Sequence, residues 1–230
     1  YTGDGVVIVD GTWPERFIVS HMGQVTFRVR IRGVAGHASS PGPNPADLVG
    51  SIVDALRRVV TTRNATCQMP WGDLRAPFFL NIGRIAGGVF SGSVPAECIV
   101  EGQYGFAPPV TVEGARRDIR EAVVALGDAV DVDFDGLSTE PFIGNPDNGL
   151  VQLLRDTVLR RHNADLRESI IRGHCDLRHY AHAHPTVAGC LYGPGGGKNV
   201  HGADEYFELA HLPLVATNLA CVAADWCGLA

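Results

Sequence analysis

The chain is predicted to be α/β, with a ferredoxin-like β-α-β-β-α-β unit over residues 22–136 inserted into a second α/β unit, to which residues 1–21 and 137–230 contribute a part. Three observations predict this. Residues 24–33 alternate strictly, Val25, Phe27, Val29 and Ile31 on one side and Thr26, Arg28, Arg30 and Arg32 on the other, as a half-exposed strand does. Two helical patterns, 45–61 and 113–126, interleave with strand patterns in the split order. Finally, the apolar run 186–192 empties into a glycine-rich loop ahead of a helix, the texture of a doubly wound sheet.

Taken in order, residues 5–10 (Gly-Val-Val-Ile-Val-Asp) form a short apolar run suited to a buried parallel strand. Residues 34–44 form a loop around His37. In the helix 45–61, Leu48, Ile52, Leu56 and Val59 share the inner face; Asn44 is its N-cap and Pro45 its first residue. Residues 61–77 are polar and irregular. Strands follow at 78–85 and 97–104, a break at Pro108-Pro109, the helix 113–126 and a strand at 129–134. The two helices cover one face of this sheet, and the face carrying Arg28, Arg30 and Arg32 stays open. Beyond residue 149 come a helix at 150–162, a short strand at 170–171, a turn entering a helix at 173–180, the strand 186–192 and a closing helix at 209–226.

Composition narrows the function. A chain of 230 residues that is 45% hydrophobic and 19% charged buries a true core. Its net charge of -6 and lack of a basic block argue against nucleic acid and anionic membrane as partners, and no apolar run is long enough to span a bilayer. The six cysteines form no CxxC pair, which favours reduced thiols and a cytoplasmic setting. The first residues, Tyr-Thr-Gly-Asp-Gly, carry no initiator Met and no signal-peptide pattern, so the sequence reads as the middle of something longer.

Chemistry concentrates in the loop 192–206. Its glycines let a ligand approach the backbone, and it delivers His201 beside Asp204 and Glu205. Imidazole near carboxylates suits metal ligation or acid-base work, although a lone loop histidine is more often solvated. Asp10, at the end of its strand, lies where open α/β sheets keep their ligands; an Asp before Gly11 is also an ordinary turn former. His37 has the same two readings, turn cap or catalytic group. His174, His179, His182 and His184 lack a familiar zinc spacing and are expected to be a solvated helix end, as are His21, His162 and His211 solvated.

Four stretches carry a family resemblance: Gly-Val-Ala-Gly-His-Ala-Ser-Ser-Pro-Gly-Pro-Asn at 33–44, Asn-Ile-Gly-Arg-Ile-Ala-Gly-Gly at 81–88 followed by Val94-Pro95, Asp-Leu-Arg at 176–178, and Tyr-Gly-Pro-Gly from 192 through His201 to Asp204-Glu205. Weak singly, in this order they resemble the C-terminal part of the dinuclear-zinc aminoacylase and carboxypeptidase family, which includes acetylornithine deacetylase, succinyl-diaminopimelate desuccinylase, aminoacylase and bacterial glutamate carboxypeptidase. The resemblance covers nearly the whole chain. It implies a homodimer formed through residues 22–136 as a lid domain, and a zinc-hydrolase domain around it. It implies two zinc ions per complete site (cobalt or manganese would suit the same donors), with Asp10 ligating one and His201 the other. His37 is implied as the residue that steadies the oxyanion across the dimer, and Arg178 as the group that holds a substrate carboxylate. Asn44, Gly193, Gly195 and Gly196 complete the substrate-binding set. The implied substrate is an N-acyl amino acid or short peptide with a free carboxylate.

The departures are informative. Relatives often carry Glu-Pro-Thr where this chain has Asp10-Gly11-Thr12, and Asp-x-Arg where it has Gln103-Tyr104-Gly105. The family's His-x-Asp ligands, bridging Asp and Glu-Glu pair have no counterpart in these 230 residues. With one ligand for each metal, the chain alone is expected to be an inactive part of a hydrolase. The alternative is a non-catalytic dimerisation or ligand-binding module derived from one; an intact His201 loop, unnecessary for dimerisation alone, favours the hydrolase.

Overall fold

The computed structural model describes residues 3–39, 42–67, 74, 76–195 and 199–229. Its strands in the first half are β1 (Gly5–Ile8), β2 (Arg16–His21), β3 (Gly23–Arg32), β4 (Gly36–His37), β5 (Phe79–Gly87), β6 (Ser93–Val94), β7 (Glu97–Phe106), β8 (Val130–Asp133) and β9 (Ser138–Thr139), with helices α1 (Leu48–Thr66) and α2 (Val112–Val124). The second half holds α3 (Gly149–His162), β10 (Arg167–Ile171), α4 (Leu177–Ala183), β11 (Ala188–Leu191) and α5 (His211–Trp226).

The α/β expectation holds. One sheet runs β5-β7-β3-β8 with antiparallel neighbours, and β9 continues the β8 edge beside β3. Together with α1 and α2 this is the ferredoxin-like arrangement. The alternation in β3 works as read: Val25, Phe27, Val29 and Ile31 are buried against Ile52, Leu56, Ile119 and Val123 of the helices, while Arg28, Arg30 and Arg32 are exposed. Asn44 starts the first helical segment by accepting the Ala46 N–H at 3.1 Å, with Pro45 opening a short 3-10 turn before α1. Thr111 caps α2 through the Gly114 N–H at 3.2 Å.

The second sheet, order β1-β11-β2-β10, draws strands from both sides of the first, so the split unit is an insertion in the chain. Its β1–β11 and β2–β10 pairs are parallel, and β11 meets β2 antiparallel at Leu191 and Ile18. Phe17 and Val19 face α3 and α5, packing with Leu154, Val158, Val215 and Val222. Ile18 and Leu191 face the opposite way, onto Cys175 and Leu177. Asn148 accepts the Leu150 and Val151 N–H groups, both at 3.1 Å, and α3 ends on Asn163 with φ 49°, a left-handed stop.

Several expectations change. Residues 16–21 form a strand that alternation could not reveal, because β2 is buried on both faces and sets only Phe17, Ile18 and Val19 in a row between polar residues. The helix at 45–61 extends to Thr66; the residues after it, 68–73, lie outside the described set. The loop 34–44 contains β4, which pairs with β6. His21 is not solvated: it is fully buried at the junction of the two sheets. Its Nδ1–H donates to the Met22 carbonyl at 2.9 Å, and its Nε2 has no partner. Burial pushes its pKa down to about 4, and the nearby Arg178, His174 and His179 add to the shift. His162, exposed at the end of α3, also meets Asn218 Oδ1 at 2.9 Å, whereas His211 is half-buried and held by the Pro194 carbonyl at 2.8 Å rather than solvated. His174 bonds Gln24 Oε1 at 3.2 Å instead of ending a helix in water.

Candidate functional site

Because β1 and β11 are parallel neighbours, with Ile8 opposite Leu191, the segments leaving them emerge at the same edge of the sheet. Asp10, Gly11 and Thr12 leave β1; Gly193, Pro194 and Gly195 leave β11. Buried Thr12 joins the two, its Oγ1 accepting the Gly193 N–H at 2.7 Å and lying 3.4 Å from the Gly193 carbonyl. The approach is so close that a Cβ on Gly193 would stand 2.4 Å from the Asp10 carbonyl oxygen. Gly195 has φ +89°, and a Cβ there would press on the Thr12 carbonyl at 3.0 Å and the Trp13 ring at 3.2 Å. From the other side, His211 at the start of α5 donates Nδ1–H to the Pro194 carbonyl and meets Trp13 edge-on, ring centroids 5.9 Å apart. The turn is therefore clamped by three side chains that no spacing pattern singled out. A Thr two residues after Asp10 was the one visible signal.

Asp10 is exposed, and its Oδ1 accepts the Gly11 N–H at 2.7 Å. His201 lies in an exposed turn with φ 61°, and its backbone N–H donates to Glu205 Oε2 at 3.2 Å. Glu205 thus closes the turn rather than bonding the imidazole. Asn199 ties the same turn, donating Nδ2 to the Ala203 carbonyl at 2.8 Å and to the Asp204 carbonyl. Gly196 lies outside the described residues.

Arg178, on α4, is half-buried, and its guanidinium donates to the Cys175 carbonyl at 2.9 Å. It makes no ion pair with Asp176 within the described residues. Cys175 is buried, and burial pushes its thiol pKa up; Arg178 pulls it down, while Asp176 and Asp10 push it further up. A buried thiol whose pKa is pushed up is poorly suited to act as a nucleophile.

His37 and Asn44 belong to the other region. β4 pairs with β6, His37 opposite Ser93, and the Ala38 N–H donates to the Gly92 carbonyl at 3.0 Å. The exposed His37 ring meets Ser39 through Nδ1, 2.8 Å from Oγ and 3.2 Å from the backbone N. Asn44 is occupied as a helix cap. Within the described residues no hydrogen bond joins His37 or Asn44 to Asp10, Gly193 or His201. Nor do three His, Cys, Asp or Glu side chains among them converge as a metal site. Gln103, at the departure from the family pattern, donates to Gln24 Oε1 at 3.3 Å, the atom that also accepts from His174; Gln24 Nε2 donates to the Arg172 carbonyl at 2.9 Å. That amide chain links the two sheets.

Residues 19–130 match the family model of the M20 peptidase dimerisation domain. Comparison with curated protein sequences finds no match. Among solved structures, the chain resembles a tripeptidase from Staphylococcus aureus at 19% identity and TM-score 0.68, covering 96% of this chain and 57% of that one. It resembles the di-peptidase Dug1p from Saccharomyces cerevisiae at 12% identity and TM-score 0.74, covering 95% of this chain and 58% of that one. An amidase of the hydantoinase/carbamoylase family from Burkholderia phymatum matches at 14% identity and TM-score 0.68, covering 96% and 54%. At these identities the likeness shows the fold. The chain spans a little over half the length of these proteins.

Proposed function

We propose that the chain is the dimerisation domain and C-terminal part of a metal-dependent hydrolase that cleaves the amide bond of an N-acyl amino acid or short peptide bearing a free carboxylate. The observation that supports this most is the Thr12 clamp, which joins Asp10 to the Gly193–Gly195 turn across 181 residues of sequence. The dimerisation-domain match and the peptidase and amidase neighbours support the same reading.

In this proposal Arg178 receives the substrate carboxylate, for which a guanidinium offers two parallel N–H donors. The backbone of Gly193 and Gly195 lines the pocket, with Gly196 beyond the described residues. His37 of one protomer serves the site of its partner by donating an N–H to the carbonyl oxygen as negative charge develops there. Residues 22–136 form the lid that pairs the protomers. Asp10 and His201 are oxygen and imidazole donors of the kind zinc takes, and each would hold one metal. Two ligands do not make a site, so further ligands come from outside the described residues; the metal, when bound, lowers the pKa of a water.

The test is elemental analysis and hydrolysis of acetyl and succinyl amino acids and dipeptides, run on the full-length gene product and on the 230-residue chain. About two zinc ions per chain and chelator-sensitive turnover are expected for the former, as in other two-metal hydrolases. The shorter chain is expected to bind no stoichiometric zinc and turn nothing over. Tight zinc on the shorter chain, or a metal-free active full-length enzyme, would overturn the proposal. A monomer in sedimentation at high micromolar concentration would remove the partner role of His37.

A further inference from the structure

We propose that Ser39 is a positioning residue that fixes the tautomer of His37. The Ser39 backbone N–H points at His37 Nδ1 at 3.2 Å, and its Oγ lies 2.8 Å from the same atom. An amide N–H only donates, so Nδ1 is the acceptor and carries the lone pair. The single proton of the neutral imidazole then resides on Nε2. The hydroxyl, free to rotate, turns its own hydrogen to the same lone pair and deepens the preference. The backbone of His37 is held independently, by β4 against β6 and by the Ala38 N–H on the Gly92 carbonyl. The ring is thus anchored from its Nδ1 side, and its Nε2–H is presented outward from an exposed loop.

The tautomer decides what the loop does. An outward Nε2–H attracts a carbonyl oxygen that is gaining negative charge, whereas the other tautomer would present a lone pair and repel it. A wrong tautomer in an otherwise intact catalytic histidine is known to be costly in general. The consequence for turnover rests on the hydrolase reading above; the tautomer itself does not.

The experiment is imidazole nitrogen NMR on histidine-labelled protein in mildly alkaline buffer, with His37 assigned by its disappearance in His37→Asn. The expected spectrum has a protonated, pyrrole-type Nε2 and an unprotonated, pyridine-type Nδ1. Ser39→Ala keeps the backbone N–H and removes the hydroxyl, so it is expected to move both nitrogens part of the way towards averaged shifts, and Ser39→Thr, which keeps the hydroxyl, to restore them. Averaged nitrogens in the unaltered protein overturn the tautomer assignment, and a Ser39→Ala spectrum identical to it overturns the part given to the Ser39 side chain. In the full-length hydrolase, Ser39→Ala is expected to lower kcat by about two- to threefold at nearly constant KM, far short of the roughly 10²–10³ that losing an oxyanion donor costs. A tautomer shift with unchanged kcat would uphold the Ser39 assignment and remove His37 from the chemistry, so the two readings fail separately.

Discussion

The two sheets of this molecule solve burial differently. The β5-β7-β3-β8 sheet is covered on one face by α1 and α2 around a single continuous core. Its other face is a lattice of cross-strand ion pairs, Arg28 to Glu101 at 2.6 Å, Arg84 to Glu101 at 2.9 Å, Arg30 to Glu97 at 3.4 Å, and Arg32 to Asp131. The β1-β11-β2-β10 sheet is covered on both faces, by α3 and α5 on one side and by the α4 region on the other, giving two smaller cores. Most of the candidate chemistry comes from the second sheet, at the ends of β1 and β11, where parallel strands deliver their loops together. The first sheet contributes His37 and Asn44 from loops at its end. One-faced burial makes a domain that is easy to read and suited to pairing; two-faced burial makes one that gathers loops.

The largest effect expected is in the first core. Phe106 is fully buried between Gly23 and Tyr104, and Phe106→Ala should cost about 3–5 kcal/mol by chemical denaturation, with cavity and lost transfer energy combined. Because the amide chain of Gln24, Gln103 and His174 ties the sheets together, a single unfolding transition is expected; two separated transitions would show the regions to be independent.

The junction between the sheets should respond to pH through His21. Its folded pKa, near 4, lies below the ordinary 6.5, so between those values the unfolded chain binds a proton that the native state refuses. Stability is therefore fully present above about 6.5 and falls as the pH drops towards 4, by up to about 3 kcal/mol. His21→Leu should flatten that slope in denaturation midpoints measured across the window. An unchanged slope would show that another group carries it.

Gly193→Ala tests the gathered loops. Its new methyl meets backbone of Asp10, which cannot swing aside, so a loss of about 1–3 kcal/mol is expected. Thermal melts give the stability, and on the metal-dependent hydrolase reading proposed above the metal content of the full-length protein should fall as the Asp10 segment is displaced. Retention of full stability would mean the two segments separate freely. The smallest effect belongs to the ion-pair lattice. Arg30 and Glu97 are both about half exposed, and Arg30→Ala should change stability by less than about 1 kcal/mol, less again in high salt. A larger loss would mark that face as covered in solution.

Legibility followed the same division. β3 was readable because one face is wet, and the cap at Asn44 because Asn-Pro is a local signal. β2 was not, since burial on both faces erases alternation, and its absence hid the mixed order of the second sheet. Asp10 and His201 stood out by a strand end and a glycine-rich loop, Arg178 by the family resemblance, and none of the three through periodicity. The structure brings Asp10 against Gly193, leaves Arg178 bonded to its own turn, and keeps His201 in a separate exposed turn. The solvated reading of His21 failed because nothing local distinguishes a histidine at a strand end from one buried between sheets.

What this sequence determined by itself is everything that short-range physics encodes: the alternation of β3, the Asn44 cap and the apolar face of α1, the order of the split unit, and a glycine turn able to pass close to another backbone. What only the tertiary structure decided is which distant groups meet. Thr12 reaches Gly193, His211 reaches Pro194, and His21 loses its water because strands far apart in sequence pair in one sheet. Such contacts depend on strand order and parallel register, and no local pattern of residues carries that information.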